Sequence, residues 1–314
     1  MKRVEEVMVS IPQKSATVIL LRQKTPSGFE AFLLRRHEKS RFMAGNYVYP
    51  GGRVDQDDTE GPIVPYCRGL SPAEAQERLA NGLSREESFA HWVAAARELF
   101  EEAGVLLAFD PEGIPFRIKN RTEAERFSGY RISLQKGQLS LEEILRRERL
   151  FLALDQLHYF AHWITPEARS ERFDTRFFLA RHPEGQEALH DQQETTDGRW
   201  LTPREALEKN LTGEVVLSPP TLKTLEDLSR FDDMEAALHN LPGRKIDPVF
   251  PVLTKVAQET FILFPWDPEY KLFRDGRSPE KIDHGRPSTS EDQTSRVVLR
   301  EGRWLPFCRR PERS

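Results

Sequence analysis

Apolar residues along this chain recur with two periods. Between residues 89 and 103 the spacing is helical: Phe89, Trp92, Val93, Ala96, Leu99, Phe100 and Ala103 fall on one arc of a helical wheel. Glu98, Glu101 and Glu102 share a narrow stripe roughly opposite that arc. Gly104 follows, where a left-handed C-cap is wanted, and Ser84 with Glu87 predicts a capping box at the start. Continuous or alternating apolar runs predict strands over 15–21, 29–34, 106–109, 157–164, 173–180 and 199–201. Cap and proline signals predict helices over about 71–80, from 122, over 141–149, 202–209, 219–228 and 232–239. Residues 181–198 read as a polar loop.

Two stretches break this rhythm. Residues from about 53 to 85 begin acidic, with Asp55, Asp57, Asp58 and Glu60, and turn Pro/Gly-rich before the cap at Ser84. They predict a surface insertion that takes no part in the sheet. After residue 240 the composition changes: 244–270 mix apolar segments with prolines, 274–295 are polar, and 296–305 have the pattern of a hairpin. The expected organisation is one domain over 1–240 and a partly irregular C-terminal extension over 241–314 that packs on it.

Composition narrows the partners. Hydrophobic residues make up 38% and charged residues 31%, which suits a globular protein, and the net charge of −4 implies no general affinity for nucleic acid. Cys67 and Cys308 match no zinc spacing, so a reduced cytosolic compartment is the default. No apolar run is long enough for a membrane span, the first residues lack a signal-peptide core, and the last are not a Ser-Lys-Leu address. The expectation is a cytoplasmic protein with neither nucleic-acid nor membrane partner.

The candidate chemistry sits on the helical stripe. Three carboxylates at i, i+3 and i+4 repel by roughly 0.2–0.5 kcal/mol per pair on an exposed helix. A hard divalent cation reverses that sign, because Mg²⁺ and Mn²⁺ select oxygen ligands. Arg97, four residues before Glu101, can hold that carboxylate in position. Alone, the stripe reads as a solvated acidic face. Beside Tyr49-Pro50-Gly51-Gly52 it reads as a metal site.

Together these stretches resemble the Nudix box, a glycine followed by a helix carrying R-E-U-x-E-E-x-G-U with U aliphatic. Arg97, Glu98, Leu99, Glu101, Glu102, Gly104 and Val105 match its second half, and Gly52 matches the opening glycine. The usual box has fourteen positions between glycine and arginine, so about 31 residues are inserted here. The mid-box glutamate, normally eight before the arginine, would fall on Phe89 and is therefore absent or displaced. The resemblance covers roughly residues 13–240 and implies the Nudix fold, of α/β (α+β) class: a mixed β-sheet sandwiched between helices, here with a helical insertion and a C-terminal extension. The long insertion, with the segments 160–166, 172–178 and 217–221, is similar to a large-insertion branch related to peroxisomal-type acyl-coenzyme A diphosphatases.

That resemblance implies a metal-dependent hydrolase cleaving the pyrophosphate of coenzyme A or acyl-CoA to 3′,5′-ADP and (acyl-)4′-phosphopantetheine. It implies Mg²⁺ or Mn²⁺ held by Glu98, Glu101, Glu102 and the Gly52 carbonyl, with Glu102 the primary ligand and Arg97 in the catalytic group. Glu194 is either the general base or a solvated loop acid. Gly51 and the basic segment Arg35, Arg36, Lys39 and Arg41 are the expected phosphate contacts, the basic segment for the 3′-phosphate, although an ordinary solvated basic turn has the same composition. His162 and Trp163 read as core or pocket wall, Asp174 with Arg176 as an ion pair or a substrate contact, and Tyr47 and Tyr49 as packing or base stacking. The partner is then a small molecule built on a nucleoside diphosphate; a homodimer is left open. Two alternatives stay open: a hydrolase of a nucleotide sugar or dinucleotide, and a non-catalytic Nudix-fold binding or regulatory module.

Overall fold

The computed structural model describes residues 10–24, 27–40, 43–59, 61–80, 82–191, 193–239, 245–277, 279, 281–289 and 292–309. The chain opens with β1 (Gln13–Gln23), β2 (Phe29–Arg36), β3 (Tyr47–Val48) and β4 (Gly51–Arg53). The insertion follows as α1 (Gln56–Thr59), β5 (Cys67–Arg68) and α2 (Pro72–Leu79), leading to the long helix α3 (Arg85–Ala103). Next come β6 (Ala108–Phe109), α4 (Arg121–Gln135), α5 (Leu141–Glu148), β7 (Phe151–Ala153), β8 (His158–Ile164), β9 (Phe173–Arg181) and β10 (Thr195–Leu201). Then α6 (Pro203–Thr212), α7 (Pro219–Leu228) and α8 (Met234–His239) precede the extension: β11 (Val252–Val256), β12 (Glu259–Leu263), α9 (Tyr270–Arg274), β13 (Arg286–Pro287), β14 (Arg296–Arg300) and β15 (Arg303–Cys308). Among the described residues no helix is long and apolar enough to cross a membrane.

A seven-stranded mixed sheet forms the centre, in the order β10-β2-β1-β9-β8, with β3 added to β2 and β4 to β1. Strands β1 and β9 run parallel over nine residue pairs, and the remaining pairs are antiparallel. Both faces are covered, so side chains alternate between two cores. Ala16, Val18 and Leu20, with Phe32 and Phe178, face α3. Ile19 and Leu21, with Leu33, Phe177 and Leu179, face α6, α7 and α8. Strand β1 pairs with β2 only at residues 21–23 and with β4 at residues 15–17. This change of partner brings the Gly51-Gly52 turn to the end of α3.

The caps expected for α2, α3 and α5 form as complete capping boxes at Ser71, Ser84 and Ser140. Gly104 closes α3 at φ 71°, its N–H donating to the Phe100 carbonyl. The strand expected over 106–109 forms only at Ala108–Phe109, because the Gln186 amide takes both the N–H and the C=O of Leu106. Strand β10 starts at Thr195, four residues earlier than the apolar pattern indicates. Its polar Thr-Thr-Asp-Gly start pairs with the end of β2 through a register shift between Thr195 and Asp197, and such an edge carries no apolar period. Of the stretch expected to stay out of the sheet, 53–85, the first residue does not: Arg53 ends β4 and pairs with Ser15, and the Val54 N–H donates to the Lys14 carbonyl at 2.9 Å. The described residues from 55 to 84 lie outside the central sheet, with β5 pairing β7 in a separate three-stranded sheet.

The described residues from 245 to 309 build a five-stranded sheet, order β11-β12-β14-β15-β13, in which β14 and β15 are the hairpin anticipated over 296–305. Its attachment to the rest is polar as well as apolar. Val249 extends the central sheet beyond β8, donating to the His162 carbonyl (2.8 Å) and accepting from the Ile164 N–H (2.9 Å). The buried Asn210 amide donates to the Trp304 carbonyl (2.9 Å) and accepts from the Leu217 N–H (3.0 Å). Within the extension Arg296 and Asp267, both with fully buried side chains, form a two-point ion pair.

Candidate active site

Helix α3 presents its carboxylates to the β4 turn. The stripe is not solvated: Glu98 and Glu102 are 8% and 6% exposed, and only Glu101 is partly open. A helical wheel gives the direction of a side chain but not what covers it, and β4 and α1 cover this one. The Gly51 N–H donates to Glu102 at 2.9 Å. At Gly52 a Cβ would stand 2.3 Å from Glu98 Oε1, and at Gly51 it would stand 2.4 Å from Thr17 Oγ1 and 2.6 Å from the Ala16 carbonyl. Both positions need glycine for close approach rather than for backbone freedom. Gly52→Ala is therefore expected to push Glu98 aside and lower kcat at least tenfold in a folded protein. Gly51→Ala, which collides with backbone, should lower the melting temperature as well. Steady-state kinetics with thermal melts separates the two; a Gly52→Ala enzyme of wild-type activity would contradict the assignment.

Arg97 spends its whole donor set on protein. Nε and Nη2 form a fork to Asp58, both at 2.9 Å; Nη2 also reaches the Arg53 carbonyl; Nη1 donates to Glu98 (2.9 Å) and Glu101 (3.2 Å). A guanidinium has five N–H groups, so none is left for a substrate. Arg97 is a positioning residue. Desolvation pulls the guanidinium down, but Asp58, Glu98 and Glu101 outweigh it and hold it above its ordinary range. Asp58, only 2% exposed, is the functional residue that the pattern reading missed. Counting back from Arg97 across the insertion lands on Phe89, which is buried in the core. Counting six forward from Gly52, as the usual spacing also requires, lands on Asp58. The insertion thus enters after the mid-box acid, and that acid is an aspartate.

The carboxylates line a cavity of about 740 Å³ together with Gly51, Gly52, Arg36 and Glu194. Burial raises the Glu98 and Glu102 carboxyls above their ordinary 4.5, and Glu98 raises Glu102 further; Arg36 opposes this and Glu194 adds to it. Burial raises Glu101 too, against the lowering by Arg97. The Asp191 carboxylate builds the loop that carries Glu194, accepting from the backbone N–H groups of Gln193, Glu194 and Thr195 and from the Thr195 hydroxyl. From the other side Gln135 and Arg131 of α4 donate to the Glu101 carbonyl at 2.6 and 2.7 Å.

The basic segment divides. Arg36 lines the cavity, and among the described residues its buried Nε has no partner. Arg35 is exposed and pairs with Glu38 at 2.6 Å, Lys39 is exposed and outside the cavity lining, and Arg41 lies outside the described residues. His162 is buried and joins Asp174, which also pairs with Arg176 at 2.7 Å, so this trio is an internal network away from the cavity; Trp163 is cavity wall. Tyr47 and Tyr49 are packed, with hydroxyls bonded to Asp197 and Thr224.

The donor set suits a hard cation: three carboxylates and a backbone turn, all oxygen, with two buried acids that raise each other's affinity for positive charge. They line an open cavity; among the described residues no three His, Cys, Asp or Glu side chains form a ready-made metal cluster.

A family model described as the NUDT19 Nudix domain matches residues 7–230. The chain is similar to the acyl-coenzyme A diphosphatase NUDT19 of Xenopus laevis, 26% identical over 235 residues, covering 67% of this chain and 62% of that protein. It therefore spans under two thirds of the frog relative. It is 27% identical over 315 residues to the protein of the same name from Homo sapiens, covering 88% of this chain and 79% of that one. Among solved structures it is similar to a NUDIX hydrolase from Alicyclobacillus acidocaldarius, with a TM-score of 0.59, 26% identity, and coverage of 73% and 96%.

Proposed function

This chain belongs to the NUDT19 Nudix domain family, and on that premise we propose that it hydrolyses the pyrophosphate of coenzyme A or acyl-CoA, releasing 3′,5′-ADP and (acyl-)4′-phosphopantetheine. The observation that carries the reading is the meeting of Glu98, Glu101 and Glu102 with the Gly51-Gly52 turn in one cavity beside an arginine. Glu98, Glu101, Glu102 and the Gly52 carbonyl would hold Mg²⁺ or Mn²⁺, which when bound neutralises phosphate charge and acidifies water. Arg36 neutralises a non-bridging phosphate oxygen. Glu194 stands exposed at the cavity edge, and among the described residues its carboxylate has no hydrogen-bond partner. It takes the proton of the attacking water as the new P–O bond forms and the bridging P–O bond breaks; the departing phosphate leaves as an anion.

The position of Arg36 sharpens the reading of the basic segment. It lines the cavity together with Glu102 and opposes the rise of that carboxyl, which supports a place beside the reacting pyrophosphate rather than the 3′-phosphate. Arg36→Ala is expected to lower kcat/KM ten- to a hundredfold, equally on CoA and dephospho-CoA, because a charge-assisted bond contributes about 1.5–3 kcal/mol and about 1.36 kcal/mol is tenfold. Arg35→Ala should change either value less than about threefold, since its pair with Glu38 is an exposed one. A loss confined to CoA would return Arg36 to the 3′-phosphate.

The substrate class is tested by comparing kcat/KM for CoA, acyl-CoA, ADP-ribose and a diadenosine polyphosphate with millimolar Mg²⁺ or Mn²⁺. CoA or acyl-CoA should lead. Preference for a nucleotide sugar or dinucleotide would favour the broader nucleoside-diphosphate reading, and tight binding without turnover of any of them would favour a binding module.

A further inference from the structure

The cavity has two unlike ends. Beside the carboxylates one end is polar, with Arg36, Asn46, Gln135, Asp191 and Glu194. The other end carries the apolar Trp163, Phe177, Pro220, Pro251, Ile262 and Trp304, while the β8–β9 connection adds the polar Thr165, Arg169 and Glu171 to the lining. The sheet register orders them. Arg53, Ser15, Thr175 and Trp163 stand abreast on β4, β1, β9 and β8, and Val249 continues the row from the extension. Three strand spacings of about 4.8 Å put Trp163 about 14 Å across the floor from the metal turn. Of the hydroxyls on that side, Ser218 and Thr221 bond each other, and the Thr165 oxygen accepts from the Phe173 N–H. That end suits an aliphatic chain better than the edge of a nucleobase.

We propose that the C-terminal extension forms the wall against which the acyl chain of the substrate lies, so that Pro251, Ile262 and Trp304 set the preference for chain length. This rests on the acyl-CoA reading of the site. The nucleotide then occupies the polar end and the pantetheine arm crosses the floor between. The wall is rigidly held, since Val249 is bonded into the central sheet and the Trp304 carbonyl is held by the buried Asn210. Residues outside the family match at 7–230 thereby become part of the substrate site.

The test is selectivity. Ile262→Trp fills the apolar end and should lower the ratio of kcat/KM for dodecanoyl-CoA to that for acetyl-CoA at least tenfold. A folded variant with that ratio unchanged within twofold would overturn the proposal. A second measurement uses the wild-type protein in EDTA with an acyl-CoA carrying a terminal diazirine, and maps the cross-linked peptide. Label within residues 249–264 or 296–305 supports the wall; label confined to 36–46 or 190–194 overturns it. Wild-type protein that turns over neither CoA nor any acyl-CoA would refute the activity and this inference with it. Turnover of both with label elsewhere would refute the inference alone.

Discussion

Glu102→Gln is expected to lower kcat by about a thousandfold or more while the protein stays folded and melts no earlier than wild type. The glutamine has the same shape, and its amide oxygen can still accept from the Gly51 N–H. What is lost is the charge. A thousandfold corresponds to about 4 kcal/mol of transition-state stabilisation, a reasonable share for a principal ligand of a phosphate-neutralising cation. The stability half of the expectation follows from burial and repulsion. Glu102 is raised first by desolvation and then by Glu98, so without metal the wild-type site disfavours its own second charge. A carboxyl raised in the fold contributes stability that is present below its ordinary 4.5 and is lost as the pH climbs through its folded value. The variant should therefore gain most over wild type in EDTA on the alkaline side of that window. Kinetics with Mg²⁺ and melts in EDTA across pH check both halves. Near-normal turnover in a folded variant would sink the metal-site assignment.

Asp58→Ala should be the most damaging substitution for stability, at about 3 kcal/mol. Removing one member of a buried ion pair typically costs about 3–5 kcal/mol, because the other charge is stranded. The lower part of that range applies here because Glu98 and Glu101 still face Arg97. For a chain of this size the change corresponds to a fall in Tm of roughly 5 °C. Activity should fall too, since Arg97 also fixes Glu98 and Glu101. Asp58→Glu should recover more of both than Asp58→Asn, because it restores the charge. A melting temperature within about two degrees of wild type for Asp58→Ala would show that the fork to Arg97 is not what anchors α1 to α3.

What could be read from the sequence, and what could not, follows from the range of each signal. The core arc of α3, its two caps and the buried strands β1, β2, β8 and β9 rest on local periodicity, and they form. Asp58 was hidden by a count taken from the far side of a long insertion, although the near-side spacing marked it. The division of the basic segment was also out of reach, because neighbours on a strand point to opposite faces and only the pairing of Arg36 with Thr195 and of Arg35 with Asp197 fixes which. The extension's sheet depends on pairings distant in sequence, such as β12 with β14 and β13 with β15, which no local pattern announces. Its contribution of Pro251, Ile262 and Trp304 to the cavity depends on those same contacts.

The bond that is broken identifies the activity. Wild-type protein incubated with dodecanoyl-CoA and Mg²⁺ in ¹⁸O-water, with the products weighed by mass spectrometry, should give 3′,5′-ADP and dodecanoyl-4′-phosphopantetheine. One ¹⁸O should sit on a phosphate, and the Glu102→Gln protein should form almost none of either product. Free CoA with labelled dodecanoate, or intact substrate after prolonged incubation with either metal, would contradict it.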